Sequence, residues 1–67
     1  MKKLLNTLYV STQGAYVFHE GESVVIRIEH EERLRVPIHH LGGLVCLGDI
    51  RVSSPLLGLC GERGVLV

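Results

Sequence analysis

The sequence predicts an α+β domain that is predominantly β: about six short strands in hairpins plus one short helix. Three observations carry this prediction. Val24, Ile26 and Ile28 alternate with Val25, Arg27 and Glu29, and Leu34, Val36 and Ile38 alternate with Arg33, Arg35 and Pro37, the period-two signature of half-buried strands. Leu44-Val45-Cys46-Leu47 is a continuous apolar run between glycines, which suits a fully buried strand. A Ser-Pro start and a glycine stop bracket a single helical stretch from Ser54 to Gly64.

In chain order, Asn6–Thr12 and Ala15–Glu20 read as strands paired across Gln13-Gly14, gathering Tyr9, Ser11, Tyr16 and Phe18 on one face. Leu8, Val10, Val17 and His19 share the other face, so both faces are expected to be covered. Gly21 ends the second strand and turns the chain into the third. In the central hairpin, pairing Ile28 with Leu34 sets Ile26 opposite Val36 and leaves His30-Glu31-Glu32 as the loop. Pro37 donates no ladder hydrogen bond and belongs at an edge or a strand end. A shorter strand follows at Ile50–Val52. Ser54 then reads as the N-cap with Pro55 at the first helical position. Gly58 and Gly61 weaken that helix by roughly 0.5–1 kcal/mol each relative to alanine, so packing must hold it. Val65-Leu66-Val67 reads as a strand's beginning with no polar tail, and the chain is expected to be the first part of a longer one.

Composition narrows the function classes. With 67 residues there is room for one small domain, too short for an ample core of its own. Disorder is excluded, because 46% of residues are hydrophobic and the formal net charge is zero. No apolar run approaches the roughly 18 residues of a membrane span, and Asn6-Thr7 cuts short the signal-like Met1-Lys2-Lys3-Leu4-Leu5. A cytoplasmic protein without a membrane role is the expectation. Neutrality supplies no global field toward nucleic acid, so such binding must come from a local patch.

Candidate chemistry is sparse. Cys46 and Cys60 lack zinc-ligand spacing and read as packed thiols, and His39-His40 as a surface connection. Ser53 and Ser54 read as capping residues, Glu31-Glu32 as solvated loop charge, and Gly42-Gly43 precedes a strand rather than a helix, unlike a phosphate loop. No catalytic, cofactor or metal residue is assigned. In the register above Arg27 faces Arg35 and Glu29 faces Arg33; either diagonal neighbours such as Glu29 neutralise the two like charges, or the pair receives an anion such as backbone phosphate. Arg27, Arg33 and Arg35 are therefore the DNA-contact candidates, and Lys2, Lys3 and Arg51 widen the patch if the fold brings them alongside. Tyr9, Tyr16 and Phe18 are the stacking or subunit-contact candidates.

The ordered set of motifs resembles a known family. Leu8-Tyr9-Val10, Gln13-Gly14-Ala15, Arg35-Val36-Pro37, Leu41-Gly42-Gly43-Leu44-Val45-Cys46-Leu47-Gly48, Val52-Ser53-Ser54-Pro55-Leu56-Leu57 and Leu59-Cys60-Gly61-Glu62-Arg63-Gly64-Val65 occur in sequence. Together they resemble the N-terminal β-domain of the CRISPR adaptation integrase, the first-numbered Cas endonuclease, most of all its type I-C branch. The resemblance implies that residues 1–67 are the N-terminal β-domain of a larger two-domain protein whose catalytic helical domain lies beyond them. That enzyme is a metal-dependent DNA endonuclease and integrase, using magnesium or manganese, which inserts new spacers into a CRISPR array. The resemblance also implies a homodimer contact through the β-domains, a small second subunit of the adaptation complex, and a double-stranded DNA end lying against the β-domain. Some members bracket that end with a tyrosine; the corresponding turn here falls near Thr12-Gln13, with Tyr9 and Tyr16 nearby. The fragment alone is expected to be non-catalytic. The rival readings are a stand-alone β-rich protein-interaction module without a DNA role, and a small enzyme or metal protein built on the histidines and cysteines.

Overall fold

The alternating segments do form strands, in two sheets. The structure, a computed structural model, describes residues 2–4 and 6–67, with side chains from Asn6 onward. The first sheet contains β1 (Lys2–Leu4), β2 (Thr7–Val10) and β6 (Gly43–Cys46) in the order β1-β2-β6. The second contains β3 (Tyr16–Glu20), β4 (Ser23–Ile28), β5 (Glu31–Pro37) and β7 (Arg51–Val52) in the order β5-β4-β3-β7. A 3-10 turn at Ile38–His40 follows β5, and α1 spans Ser54–Arg63. The α+β, predominantly β class is as predicted.

The central hairpin is β4–β5, but its register differs from the one the apolar pattern suggested. Val24 pairs with Val36, Ile26 with Leu34, Arg27 with Glu32 and Ile28 with Glu31. The connection is a two-residue turn in which Glu29 (φ 54°) and His30 (φ 65°) are both left-handed, as a type I′ turn requires. That conformation costs roughly 1–2 kcal/mol per residue where glycine is absent. Glu31 and Glu32 thus join the strand instead of forming a loop, and a bulge after Ile26, with Arg33 as the extra residue, restores the buried alternation. Pro37 closes β5, where its missing donor costs no ladder bond.

The expected β2–β3 hairpin does not form. The Gln13-Gly14 turn is present, with the Ala15 N–H donating to the Thr12 carbonyl at 3.3 Å. The strands it joins part into different sheets, because each has a parallel partner: β2 runs beside β6 and β3 beside β7. The two segments turn the corner together. Leu47 N–H donates to Val10 O (2.8 Å), Asp49 N–H to Gln13 Oε1 (2.8 Å), Gly14 N–H to Asp49 O (3.0 Å) and Arg51 N–H to Ala15 O (3.0 Å). The expectation that both faces are covered is not met: Leu8, Val10 and Val17 are buried against the core, while Tyr9, Tyr16 and Phe18 are half-buried on the outer faces. β6 is less than fully buried: Gly43 and Leu44 are buried, Val45 and Cys46 are half-buried, and Leu47, just beyond the strand, is exposed.

The helix begins one residue earlier than the Ser-Pro signal placed it. Ser53 is the N-cap, its Oγ accepting from Leu56 N–H at 3.2 Å, and Gly64 ends the helix at φ 72°. Leu56 and Cys60, four residues apart on one helical face, join a single core with Leu8 and Val10 of β2, Leu44 of β6, and Val17, Val24, Ile26 and Val36 of the second sheet. Beyond the helix, Leu66 bridges Gly43 in parallel, with Leu44 N–H donating to Leu66 O (2.7 Å) and Leu66 N–H to Gly42 O (3.1 Å). The strand-like reading of 65–67 agrees with this.

Candidate nucleic-acid interface

Strand register decides which side chains share the outer face of the second sheet. One row runs Arg51–Tyr16–Arg27–Glu32 and the next Phe18–Val25–Arg35, while Val17, Ile26 and Leu34 point the other way. Arg27 therefore faces Tyr16 and Glu32. It does not face Arg35, which lies opposite Val25. The like-charge pair inferred from the apolar pattern dissolves because the true register is displaced by two residues and bulged.

The arginines fall into two groups. Arg35 donates from Nη2 to Glu20 Oε1 (2.8 Å) and Glu32 Oε1 (2.9 Å) and from Nε to Glu32 Oε2 (3.1 Å), tying β3 to β5 across β4. Hydrogen bonding from Arg35 holds the Glu32 carboxyl below the usual carboxylate range, and the same bonds raise Arg35 above its own. Arg33 pairs with Glu31 at 3.5 Å, and Arg63, at the end of α1, contacts Glu22 of the β3–β4 turn. Arg27 and Arg51 behave differently. Tyr16 and Phe18 stack with ring centroids 5.4 Å apart and planes 19° from parallel. Arg27 lies over Phe18 at 4.9 Å and Arg51 over Tyr16 at 5.9 Å, so a cation sits at each end of the stacked pair. Among the described residues, no carboxylate lies within ion-pair distance of either guanidinium. Both arginines border an open cleft of about 390 Å³, shared with Gly14, Tyr16, Glu29 and His30.

Three of the six candidate side chains thus come together: Arg27, Tyr16 and Phe18. Tyr9 does not join them, because β2 belongs to the first sheet, where Tyr9 borders a second groove of about 470 Å³ with Val45, Leu66 and Val67. Lys2 and Lys3 lie on β1 of that sheet, and their side chains are outside the described residues. Arg51 is the addition. Its signal in the sequence is the Ile50-Arg51-Val52 alternation, which turns it away from the core, but only the parallel β3–β7 pairing sets it beside Tyr16.

His39, His40 and both cysteines lie apart from the cleft beside Arg27 and Arg51. His39 and His40 are exposed on the 3-10 turn, their rings edge to face at 4.6 Å. Cys60 is buried in the core and Cys46 half-buried, and burial pushes both thiols above their usual range. Among the described residues, no three His, Cys, Asp or Glu side chains converge to hold a metal. Among the described residues, no helix is long and apolar enough to cross a membrane.

Comparison with known proteins supplies the family. The family described as "CRISPR associated protein Cas1" matches residues 8–67. The chain is 52% identical over its whole length to "CRISPR-associated endonuclease Cas1 1" of Chlorobaculum tepidum. It is 44% identical to the protein of the same name from Moorella thermoacetica and 40% to "CRISPR-associated endonuclease Cas1 2" of Rhodospirillum rubrum. All 67 residues are covered in each case, and they span 20% of each relative's length, its N-terminal part. The class of protein to which the chain is similar is therefore the one these relatives are named for, CRISPR-associated endonucleases. Within the class, the chain belongs to the Cas1 family.

Proposed function

We propose that residues 1–67 act as the N-terminal β-domain of a larger two-domain Cas1 protein, a metal-dependent DNA endonuclease and integrase that inserts spacers into a CRISPR array in the cytoplasm. On this reading the β-domain positions double-stranded DNA against the outer face of its second sheet. The observation that supports it is the stacked Tyr16–Phe18 pair with Arg27 and Arg51 at its ends, cations with no carboxylate in ion-pair contact among the described residues. Arg33 and Arg35, already engaged with carboxylates, serve the sheet instead. Magnesium or manganese, and the catalytic groups, belong to the other domain, and the small second adaptation subunit joins the complete protein. Assignment to the type I-C branch rests on the motif order alone.

The DNA contact is tested in the complete protein by fluorescence anisotropy with duplex DNA over a salt series. Arg27→Ala is expected to weaken binding about 10-fold and to flatten the slope of log K against log salt by about 0.9, one lost phosphate contact. Arg35→Ala should leave both nearly unchanged. An Arg27 variant with native affinity and slope throughout the series sinks the DNA-facing role and favours the protein-interaction module.

The homodimer is proposed on the first sheet, where the groove beside Tyr9 is bordered by Leu66 and Val67, exposed by 78% and 64%. Sedimentation of the complete protein should give a dimer, and Tyr9→Asp together with Val45→Asp should shift it toward monomer. A dimer unchanged by both substitutions places the contact elsewhere.

A further inference from the structure

The cleft at the corner of the second sheet has a composition that the general DNA-facing reading does not require. Arg27 and Arg51 lie on either side of Tyr16 in one cross-strand row, so their Cα atoms are two strand spacings, about 10 Å, apart. Both side chains border the same space of about 390 Å³, too small for a duplex and sufficient for a single phosphate with its sugar. Gly14 forms one wall, and a Cβ placed on it meets no atom within 4 Å, so that side is open to a ligand. The formal charge of the lining is two arginines against one carboxylate, Glu29, with His30 as a further hydrogen-bonding group. A net single positive charge matches the single negative charge of a phosphodiester. The rim supports the assignment: Glu29 and His30 keep both left-handed turn positions, where Asn-Gly makes the same turn without strain, and their side chains border the cleft.

We propose that this cleft is a subsite for one backbone phosphodiester of a nucleic-acid strand, held jointly by Arg27 and Arg51, with the Glu29–His30 turn forming its rim. The proposal rests on the DNA-facing reading and sharpens it: the two arginines act on one phosphate, not on two.

A double-substitution cycle in the complete protein decides it. Affinity for duplex DNA is measured over a salt series for Arg27→Gln, Arg51→Gln and the double variant. If one phosphate is shared, each single change weakens binding about 10-fold and the double variant is scarcely weaker than either. The salt slope then flattens by about 0.9 in total. Arg27→Lys, which keeps the charge, should retain the native slope. A double variant near 100-fold weaker, with the slope flattened by about 1.8, shows two independent phosphates and overturns the subsite while the DNA-facing reading stands. Native affinity in Arg51→Gln alone also overturns it. Native affinity in all three variants removes both the subsite and the reading on which it rests.

Discussion

Leu56→Ala is expected to destabilise the β-domain by about 3–4 kcal/mol, enough to unfold much of it. Leu56 has no exposed surface and occupies the first turn of α1, where its N–H also donates to the capping Ser53 Oγ. Two structural links meet there. The helix has a weak intrinsic preference, with Gly58 and Gly61 in its body, so tertiary contact is what keeps it folded. That contact is narrow, since Leu56 and Cys60 are its buried residues. Truncating Leu56 leaves a void between helix and sheet, and a domain of this size seldom has more than about 3–5 kcal/mol in hand. The neighbouring Leu57→Ala, at a position 45% exposed, should change stability by no more than about 0.5 kcal/mol. Urea unfolding followed by far-UV circular dichroism separates the two. A loss below about 1 kcal/mol at Leu56 shows that the helix is held by something other than this side chain.

Local pattern was legible in the sequence where the structure obeys local rules. The Val24–Ile28 and Leu34–Val36 alternation gave the central hairpin, because one face of each strand is buried against the core. Ser53-Ser54-Pro55 and Gly64 gave the helix to within one residue, because caps act over three or four positions. The register was not legible. A type I′ turn is normally announced by Asn-Gly or Asp-Gly, and here it is made by Glu29-His30. The bulge that follows adds a residue no alternation rule anticipates. Parallel pairing was not legible either, since Gln13 reaches across 36 positions to Asp49, and nothing near Gln13 specifies that partner.

The candidate site inherits both outcomes. Arg27, Tyr16 and Phe18 are outward residues of strands correctly recognised, so their presence on one face could be read. Arg35 was misplaced because its neighbours depend on register, and its true partners, Glu20 and Glu32, come from two other places in the chain. Arg51 needed the parallel β3–β7 pair. Family membership was legible from the order of short motifs. Those motifs carry the turns and caps of the fold more than its chemistry, and so they identify the domain without marking its contact residues.

Gly48→Ala is expected to cost about 2–4 kcal/mol and to disturb the cleft as well as the fold. Gly48 has φ +100°, a backbone conformation in which any Cβ is strained, at about 1–3 kcal/mol. A Cβ there also falls 2.2 Å from Gln13 Nε2, so the Gln13 amide must move. That amide is not idle: its Oε1 accepts the Asp49 N–H, and losing the bond adds roughly 1 kcal/mol. The two terms are separable. In a Gln13→Ala background the clash disappears and only backbone strain remains, so the Gly48 substitution should cost about 1 kcal/mol less there. Gly58→Ala, a helical glycine with open space around its Cβ position, should have the opposite sign and stabilise by about 0.5–1 kcal/mol. The corner is also what sets β3 beside β7 and thus Tyr16 beside Arg51. Gly48→Ala in the complete protein should therefore weaken DNA binding though it removes no charge, whereas Gly58→Ala should not. If stability falls and binding holds, the corner supports the fold without positioning the arginines.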